Sequence, residues 1–303
     1  MAKKNDGEEA TTTATSSTKK EATTIKFTDL NIANFLAYLT NTDIGENQIL
    51  DFRKDMIICR AHTVDRTFIK YTKVDIQDVL KYESLPKDFE LLKLPMFRLK
   101  KLKDTLIVFK NSNIDKASGE ITYEKSSDDN SLIGLSIKLS SKSMKVTIKA
   151  MDYYLASYMN DEVWSRFYNQ DNVIVKFDAK KDFINKLSSL CSLDNSGDAE
   201  KSKDKVPAFI LKINADKKIL VFSSKTPNNW MLKYDTEDGN QDIKAKSDLT
   251  VVIKKQMLDE MPSTFYDIII TNNVHINQTL MIMYQDDSCI MLNALLEYDP
   301  NEK

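Results

Sequence analysis

The order of predicted secondary-structure elements occurs twice along this chain, and this duplication restricts the fold more than any single motif does. An extended segment that ends at Phe27 precedes an amphipathic helical pattern over Leu30–Leu39. About half a chain later, an extended segment that ends at Phe177 precedes a second amphipathic pattern over Phe183–Cys191. Few residues are identical between the halves, so the repeat lies in the order of elements and indicates a duplicated domain.

A second pair of landmarks supports the duplication. The strand-like run Phe89–Leu94 leads into a basic segment that is predicted to be a short helix, Met96–Lys103. The strand-like run Leu249–Ile253 leads into another basic segment, which begins at Lys254. Most of the remaining sequence alternates apolar and polar residues, a pattern that predicts short strands.

Three segments of the first half illustrate these strand predictions. Gln48–Phe52 and Met56–Arg60 flank the polar triplet Arg53-Lys54-Asp55 and are predicted to form a hairpin. Thr105–Asn111 has apolar residues in alternation and is predicted to be a strand. Ile114–Asn130 is polar and irregular in pattern, so it is predicted to be a long hairpin excursion.

The length of 303 residues allows two domains, each with its own core. Residues 1–24 are mostly Thr, Ser, Ala, Lys and Glu and are predicted to be a disordered tail. Residues 25–151 and 171–298 are the predicted domains. Residues 152–170 are aromatic-rich, neither alternating nor clearly helical, and are assigned as the interdomain connector, while residues 299–303 form a C-terminal tail.

The composition excludes several classes of protein. A net charge of −2 argues against a surface that binds nucleic acid everywhere, although it permits a local basic patch. The three cysteines are far apart without metal-ligand spacing, so no metal site is expected. Two isolated histidines and the lack of a phosphate loop, nucleophile elbow or dinucleotide fingerprint predict no catalytic residue and no cofactor. Neither a signal peptide nor a membrane-spanning apolar run occurs, so an intracellular protein is expected.

Two passages carry a resemblance to a known family. Cys59-Arg60-Ala61 is followed by a short polar turn and the strand Thr67–Tyr71, as in T-even-type phage clamps. The final hairpin, Thr279–Tyr284 into Ile290–Tyr298, is similar to the end of a clamp chain. With the duplicated order of elements, the chain from Thr24 to Tyr298 resembles the two-domain DNA polymerase processivity clamps of the proliferating cell nuclear antigen superfamily. The resemblance implies an α+β fold of duplicated clamp domains, with antiparallel sheets, two helices per domain on one face and a head-to-tail ring.

The resemblance also implies a function and partners. A homotrimer would encircle duplex DNA without sequence specificity and tether a DNA polymerase, and a separate clamp loader would open it. A phage or viral origin would place the protein in the cytoplasm of an infected host. The principal alternative is a non-catalytic structural β-rich phage or virion protein, and a third is a nuclease built from scattered carboxylates. A positive inner face would favour the clamp over the structural protein, whereas a convergent carboxylate cluster would favour the nuclease.

Basic residues on the predicted helices are the candidates for contact with DNA, since duplex DNA attracts positive charge without base readout. The simpler alternative is an ordinary solvated helix face. Their duplicated helix positions favour the DNA-facing assignment, although the Leu30–Leu39 helix has no Lys or Arg. The candidates are Arg98, Lys100, Lys101, Lys103, Lys180, Lys181, Lys186, Lys254 and Lys255.

By resemblance, a groove beside the connector would receive a short peptide from the polymerase or loader, with apolar anchors providing most of the affinity. The open alternative is that the connector aromatics only fix the connector to the sheets. The ring would close where Lys145–Ala150 of one copy meets Trp230–Tyr234 of the next. The predicted groove residues are His62, Val163, Trp164, Leu280, Leu296 and Tyr298.

Overall fold

A computed structural model gives the architecture of the chain. It describes residues 23–44, 47–64, 66–97, 99–127, 129, 131–193, 208–225, 229–234, 243–259, 266–286 and 288–298. The predicted N-terminal and C-terminal tails lie almost entirely outside these residues, as do Arg98 and Asp128.

The first half contains nine strands and three helices among the described residues. The strands are β1 (Thr23–Asn31), β2 (Asn47–Phe52), β3 (Met56–His62), β4 (Phe68–Asp75), β5 (Lys81–Ser84), β6 (Leu92–Phe97), β7 (Lys116–Lys125), β8 (Leu132–Ser140) and β9 (Lys145–Lys149). The helices are α1 (Ile32–Thr42), α2 (Ile76–Val79) and α3 (Lys100–Asn111).

A short connector and the second half follow. The connector contains a 3-10 turn at Tyr153–Leu155 and the helix α4 (Asp161–Phe167). The helices of the second half, in the described ranges, are α5 (Lys181–Leu193) and α6 (Gln256–Asp259). The strands are β10 (Val173–Ala179), β11 (Ala208–Asn214), β12 (Ile219–Ser224), β13 (Met231–Tyr234), β14 (Lys244–Ala245), β15 (Leu249–Lys254), β16 (Tyr266–Asn273), β17 (Gln278–Asp286), β18 (Cys289–Ala294) and β19 (Leu296–Glu297).

The predicted hairpin around Arg53-Lys54-Asp55 is confirmed, since β2 and β3 pair antiparallel. The strand prediction for Thr105–Asn111 is wrong. This segment completes α3, because Leu102, Leu106 and Phe109 recur at helical spacing and are fully buried. The predicted helix Met96–Lys103 therefore begins too early, since Met96 belongs to β6 and the helix starts at Lys100.

The prediction that Ile114–Asn130 is a hairpin excursion is also wrong. Most of it forms β7, which lies between β1 and β8 and pairs with both. Its polar residues face solvent, while Ala117, Ile121 and Tyr123 are buried. Gly119 is opposite Phe27, and a Cβ at this glycine would lie 2.4 Å from the Phe27 ring. The glycine makes room for the aromatic ring and interrupts the apolar alternation on which strand prediction depends.

The strands form two sheets, and almost all neighbours are antiparallel. The larger sheet has the order β14-β10-β16-β17-β18-β4-β3-β2-β6-β8-β7-β1-β5, with β9 paired to β8. The smaller sheet has the order β13-β12-β11-β15-β19. The exception to antiparallel pairing is the short contact between β6 and β8. The two halves join inside the larger sheet, where Cys289–Asn293 of β18 pairs with Phe68–Thr72 of β4.

The sheet order contains the internal repeat that the sequence predicts. The array β5-β1-β7-β8-β9 in the first half corresponds to β14-β10-β16-β17-β18 in the second. The array β6-β2-β3-β4 corresponds to β15-β11-β12-β13. Helices α1 and α5 follow the first strand of each half, and α3 and α6 follow β6 and β15. Thus β9 occupies the position of β18, and β13 occupies the position of β4.

Each half has its own apolar core between sheet and helices. Helices α1 and α3 pack against each other over the first core, and α5 and α6 do so over the second. Where the halves join, alternate residues of β4 and β18 point to opposite faces. Phe68 and Met291 enter the helix-side core, whereas Ile69 and Leu292 face a third cluster beneath the connector. The helices and the connector therefore lie on opposite faces of the joined sheet.

Candidate functional site

Helix α3 presents the clearest basic surface of the first half. Its buried side is apolar, so Lys100 and Lys101 at its start are directed to solvent. Lys110 in the last turn is also exposed, and sequence reasoning missed it because Thr105–Asn111 was predicted to be a strand. Lys103 differs from these, because it is half-buried and forms an ion pair with Asp43.

In the second half, the exposed lysines are at the start of α5. Lys180 precedes the helix, Lys181 is its first residue and Lys186 lies one turn later, all exposed to solvent. The other two candidates of this half, Lys254 and Lys255, contact polar side chains of the same chain. The Lys254 Nζ lies 3.2 Å from Thr67 Oγ1 across the junction between halves, and the Lys255 Nζ lies 3.0 Å from Ser192 Oγ.

Helix α1 has no basic residue on its exposed side. Its solvent-facing residues are small or neutral, and its apolar side is buried. The basic surface on the helix side is therefore supplied by α3 and the start of α5. The exposed α1 residues are Ala33, Asn34, Ala37 and Thr40.

The predicted groove residues lie in two places, on the connector side of the sheet and near the C-terminal end of the chain. Val163 and Trp164 lie in α4 and pack on the cluster that includes Ile69 and Leu292. Leu280 on β17 is buried. These positions place the connector helix directly over the strands that join the two halves.

The remaining groove candidates are near the end of the chain. Leu296 is half-exposed on β19, Tyr298 is partly buried, and the His62 Nδ1 lies 2.9 Å from the Thr63 carbonyl oxygen. The backbone brings the β3–β4 turn beside this end, since the Ala294 N–H donates to the Thr67 carbonyl over 2.7 Å. No described side-chain contact joins His62 to Leu296.

Trp164 has a structural role that sequence reasoning left open. Its ring stacks on Tyr71 of β4 with centroids 5.0 Å apart, and on Tyr168 with centroids 5.6 Å apart. Stacked aromatic pairs contribute about 0.5–1.5 kcal/mol beyond area burial. Trp164 therefore fixes α4 to the sheet.

A buried polar network also attaches the connector to the first half. Arg60 on β3 donates to Asp51 Oδ2 over 3.1 Å and forms an ion pair with Asp161 at the start of α4. The Tyr158 hydroxyl donates to Asp51 over 3.0 Å. Burial raises the pKa of the Asp51 carboxyl to about 6, although Arg60 and Tyr158 oppose the shift.

A second contact holds the beginning of the connector. The buried Lys93 ammonium lies 2.5 Å from Asp129 and 3.3 Å from the Tyr153 hydroxyl, and it is 4.6 Å from the centre of the Tyr158 ring. Such a cation between a carboxylate and aromatic faces is well compensated for its loss of water. Sequence reasoning missed this network because its members are distant along the chain.

The described residues contain no group of three or more His, Cys, Asp or Glu side chains arranged to hold a metal ion. Burial raises the pKa of the Cys59 thiol well above its ordinary range, which disfavours a reactive thiolate there. Among all the residues that the structure describes, no helix is both long enough and apolar enough to cross a membrane.

Comparison with known proteins gives matches at the level of structure. No protein-family profile matches the chain, and no curated protein sequence does so. The structure is similar to the PCNA2–PCNA3 complex of Sulfolobus tokodaii, with a TM-score of 0.53 and 13% identity over 90% of this chain and 99% of that one. It is also similar to A. fulgidus PCNA bound to the C-terminal region of FEN-1, with a TM-score of 0.56 and 9% identity over 92% and 100% of the chains.

The bacterial relatives match this chain over part of their length. The beta subunit of DNA polymerase III from Thermotoga maritima has a TM-score of 0.60 and 10% identity, covering 92% of this chain and 67% of that one. These TM-scores all exceed 0.5 and the matches cover 90–92% of this chain, so the similarity extends over both halves. The chain therefore has the fold of the DNA polymerase sliding clamps.

Proposed function

We propose that this protein is a sliding clamp that closes as a head-to-tail homotrimer around duplex DNA and tethers a replicative DNA polymerase. The observation that carries the proposal is the repeated sheet order. Within the chain, β18 pairs with β4, so the last strand of one half joins an edge of the other. Because β9 corresponds to β18 and β13 to β4, the same pairing between β9 and β13 of the next copy would continue the ring.

The two strands of the proposed joint each have one neighbouring strand in the described sheets. Strand β9 has β8 as its neighbour, and β13 is the first strand of the smaller sheet. Ile107 and Val108 on α3, which contacts β9, are 41% and 50% exposed. In the second half, a groove of about 640 Å³ between α5 and β13 has Leu190 and Leu232 among otherwise polar lining residues. We propose that these surfaces meet across the subunit boundary, since apolar surface favours contact with apolar surface.

The helix side would face the DNA. Lys100, Lys101, Lys181 and Lys186 are exposed there, and weak contacts with phosphates attract a duplex without fixing its sequence. The connector side would face outward and bind partners. Among the neighbours, A. fulgidus PCNA binds the FEN-1 C-terminal region and the Helicobacter pylori beta clamp binds a DNA ligase peptide. A polymerase peptide held in the same way would rebind by an effectively intramolecular step.

Proline substitutions in β9 test the ring. Successive residues of a strand donate their N–H groups in opposite directions, so Val146→Pro or Thr147→Pro must remove a donor that faces away from β8. We expect one of these variants to remain folded and to become monomeric by sedimentation. Glu83→Pro in the edge strand β5 is the matched control, which should leave the trimer intact. Trimers in both β9 variants would refute the joint.

Retention on DNA separates the clamp from a structural β-rich protein. A loaded ring is expected to stay on a nicked circular plasmid in high salt and to leave after the plasmid is linearised, because it is held topologically. A protein that binds the plasmid by charge alone would dissociate in high salt from both forms. No retention on circular DNA in the presence of the loader from the same genome would favour the structural alternative. We propose that the protein itself has no catalytic role.

A further inference from the structure

The start of helix α4 is attached to the first half of the chain through one carboxylate, in addition to the stacking of Trp164 on Tyr71. Asp161, its first residue, accepts from the Arg53 guanidinium at 2.8 and 3.1 Å and pairs with Arg60. Arg53 lies in the β2–β3 turn and Arg60 on β3. Burial works against ionisation of Asp161, but the two guanidinium groups hold the pKa of its carboxyl below the ordinary value.

Arg60 has a second carboxylate partner, so the contact with Asp161 can be removed without leaving an unpaired charge in the core. The Arg60 side chain is 4% exposed and lies between two carboxylates, Asp51 at 2% and Asp161 at 65% exposure. Leaving a buried charge without a partner is strongly destabilising. When Asp161 is removed, Arg60 retains its ion pair with Asp51, so the first core is not left with an isolated charge.

The other end of α4 is attached to the second half. Asn273 on β16 is 1% exposed, and its Nδ2 donates to the carbonyl oxygens of Arg166 and Phe167 over 2.8 and 2.9 Å. These are carbonyls of the last helical turn, which lack partners inside a helix. The Asn273 Oδ1 accepts from the backbone of His275, which fixes the amide orientation. The connector helix is thus held at each end by a different half of the chain.

We infer that Asp161 is a positioning residue for partner binding, because it holds the connector helix in place as a preformed wall of the peptide groove. The inference rests on the proposed function. A peptide that meets a fixed wall does not bear the cost of ordering the connector on binding, and such ordering otherwise weakens affinity. Trp164 contributes to the same wall from the middle of the helix, through its stacking on Tyr71.

The test compares Asp161→Ala with Glu162→Ala. Both residues are acidic, exposed and in the first turn of α4, so both interact with the helix dipole in the same way. They differ in their partners, because Glu162 pairs with Arg166 of the same helix at 2.5 Å. The difference between the variants therefore isolates the ion pairs of Asp161 with Arg53 and Arg60.

The first measurement is amide hydrogen exchange along the connector of the assembled protein. We expect Asp161→Ala to speed exchange of the α4 amides about tenfold, the effect of losing a charged hydrogen-bonded partner. Exchange of residues 154–156 should change little, since their amides bond within the turn and Lys93 contacts the neighbouring Tyr153 hydroxyl and Tyr158 ring. Glu162→Ala should behave like the wild type. Equal exchange in the two variants would overturn the inference.

The second measurement is the affinity for a synthetic peptide of the C-terminus of the replicative polymerase from the same genome. Asp161→Ala should weaken binding about fivefold to tenfold with unchanged thermal midpoint and molar mass. Faster exchange with unchanged affinity would leave Asp161 a merely structural residue and refute the positioning role alone. A wild type that binds no peptide would refute the groove, and with it the positioning role. If Asp161→Ala does not fold, Arg53→Gln removes the bidentate partner from the domain side and must give the same two effects.

Discussion

Replacing Ile107 and Val108 with alanine is expected to weaken the subunit joint without destabilising the monomer. The two side chains are 41% and 50% exposed, so each has about half of its surface left to bury. Complete burial of such a side chain contributes about 1.5–3 kcal/mol, which leaves roughly 1 kcal/mol for each residue at the joint. Their combined loss of about 2 kcal/mol corresponds to a roughly 30-fold weaker association at each joint.

Sedimentation velocity over a range of concentrations measures this effect. A closed trimer has three such joints and forms from three monomers, so the double variant should dissociate at a concentration roughly 150-fold higher than the wild type. The thermal midpoint should be unchanged when both are monomeric. Tyr154→Ala with Leu155→Ala is the matched control, since both residues are 71% exposed and lie on the connector. An unchanged dissociation constant, or equal weakening in the control, would show that α3 does not lie at the joint.

Two further predictions concern charge. Alanine at the four exposed helix lysines should shorten retention on circular DNA and lower its salt sensitivity, with little effect on stability; the lysines are Lys100, Lys101, Lys181 and Lys186. Retention that matches the wild type at every salt concentration would argue that these residues are only solvated. The second prediction is that Asp51→Asn flattens the pH dependence of stability between about pH 3 and 7. The pKa of Asp51 is about 6 in the folded chain and about 4 when unfolded, so the folded state binds the extra proton and stability falls as pH rises through this window. The group contributes up to about 3 kcal/mol across the window, measured by urea unfolding, and parallel profiles for both proteins would contradict the assignment.

The order of elements was predictable because periodicity is a local property. The apolar side of α1 recurs at helical spacing in Phe35 and Leu39, and that of α5 in Ile184 and Leu187. The strands show an apolar period of two in the sequence in the same way. These signals survive although few residues are identical between the halves, and the structural neighbours confirm the clamp fold to which they pointed.

The wrong predictions occurred where a local pattern fits two structures. In Thr105–Asn111 the run of apolar and β-branched residues suits a strand, and burial of Leu106 and Phe109 against α1 and the sheet makes it a helix. In β7 the apolar alternation is interrupted at Gly119, which accommodates a ring from another strand. The helical spacing of Leu102, Leu106 and Phe109 was a local signal for α3, whereas the interruption in β7 cannot be explained without knowing which ring packs against Gly119.

The candidate sites divide in the same way. Composition and spacing are enough to identify which helices carry lysines, that α1 has none, and that the connector is aromatic. The folded chain was needed to find that Lys103 and Lys254 have partners within the chain, that Trp164 lies between two tyrosines, and that β9 repeats the position of β18. It alone joined Arg60 to a carboxylate on the connector, 101 residues away along the chain. Contacts of this kind depend on which distant segments the cores bring together, and the physical chemistry of a local stretch of sequence does not contain that information.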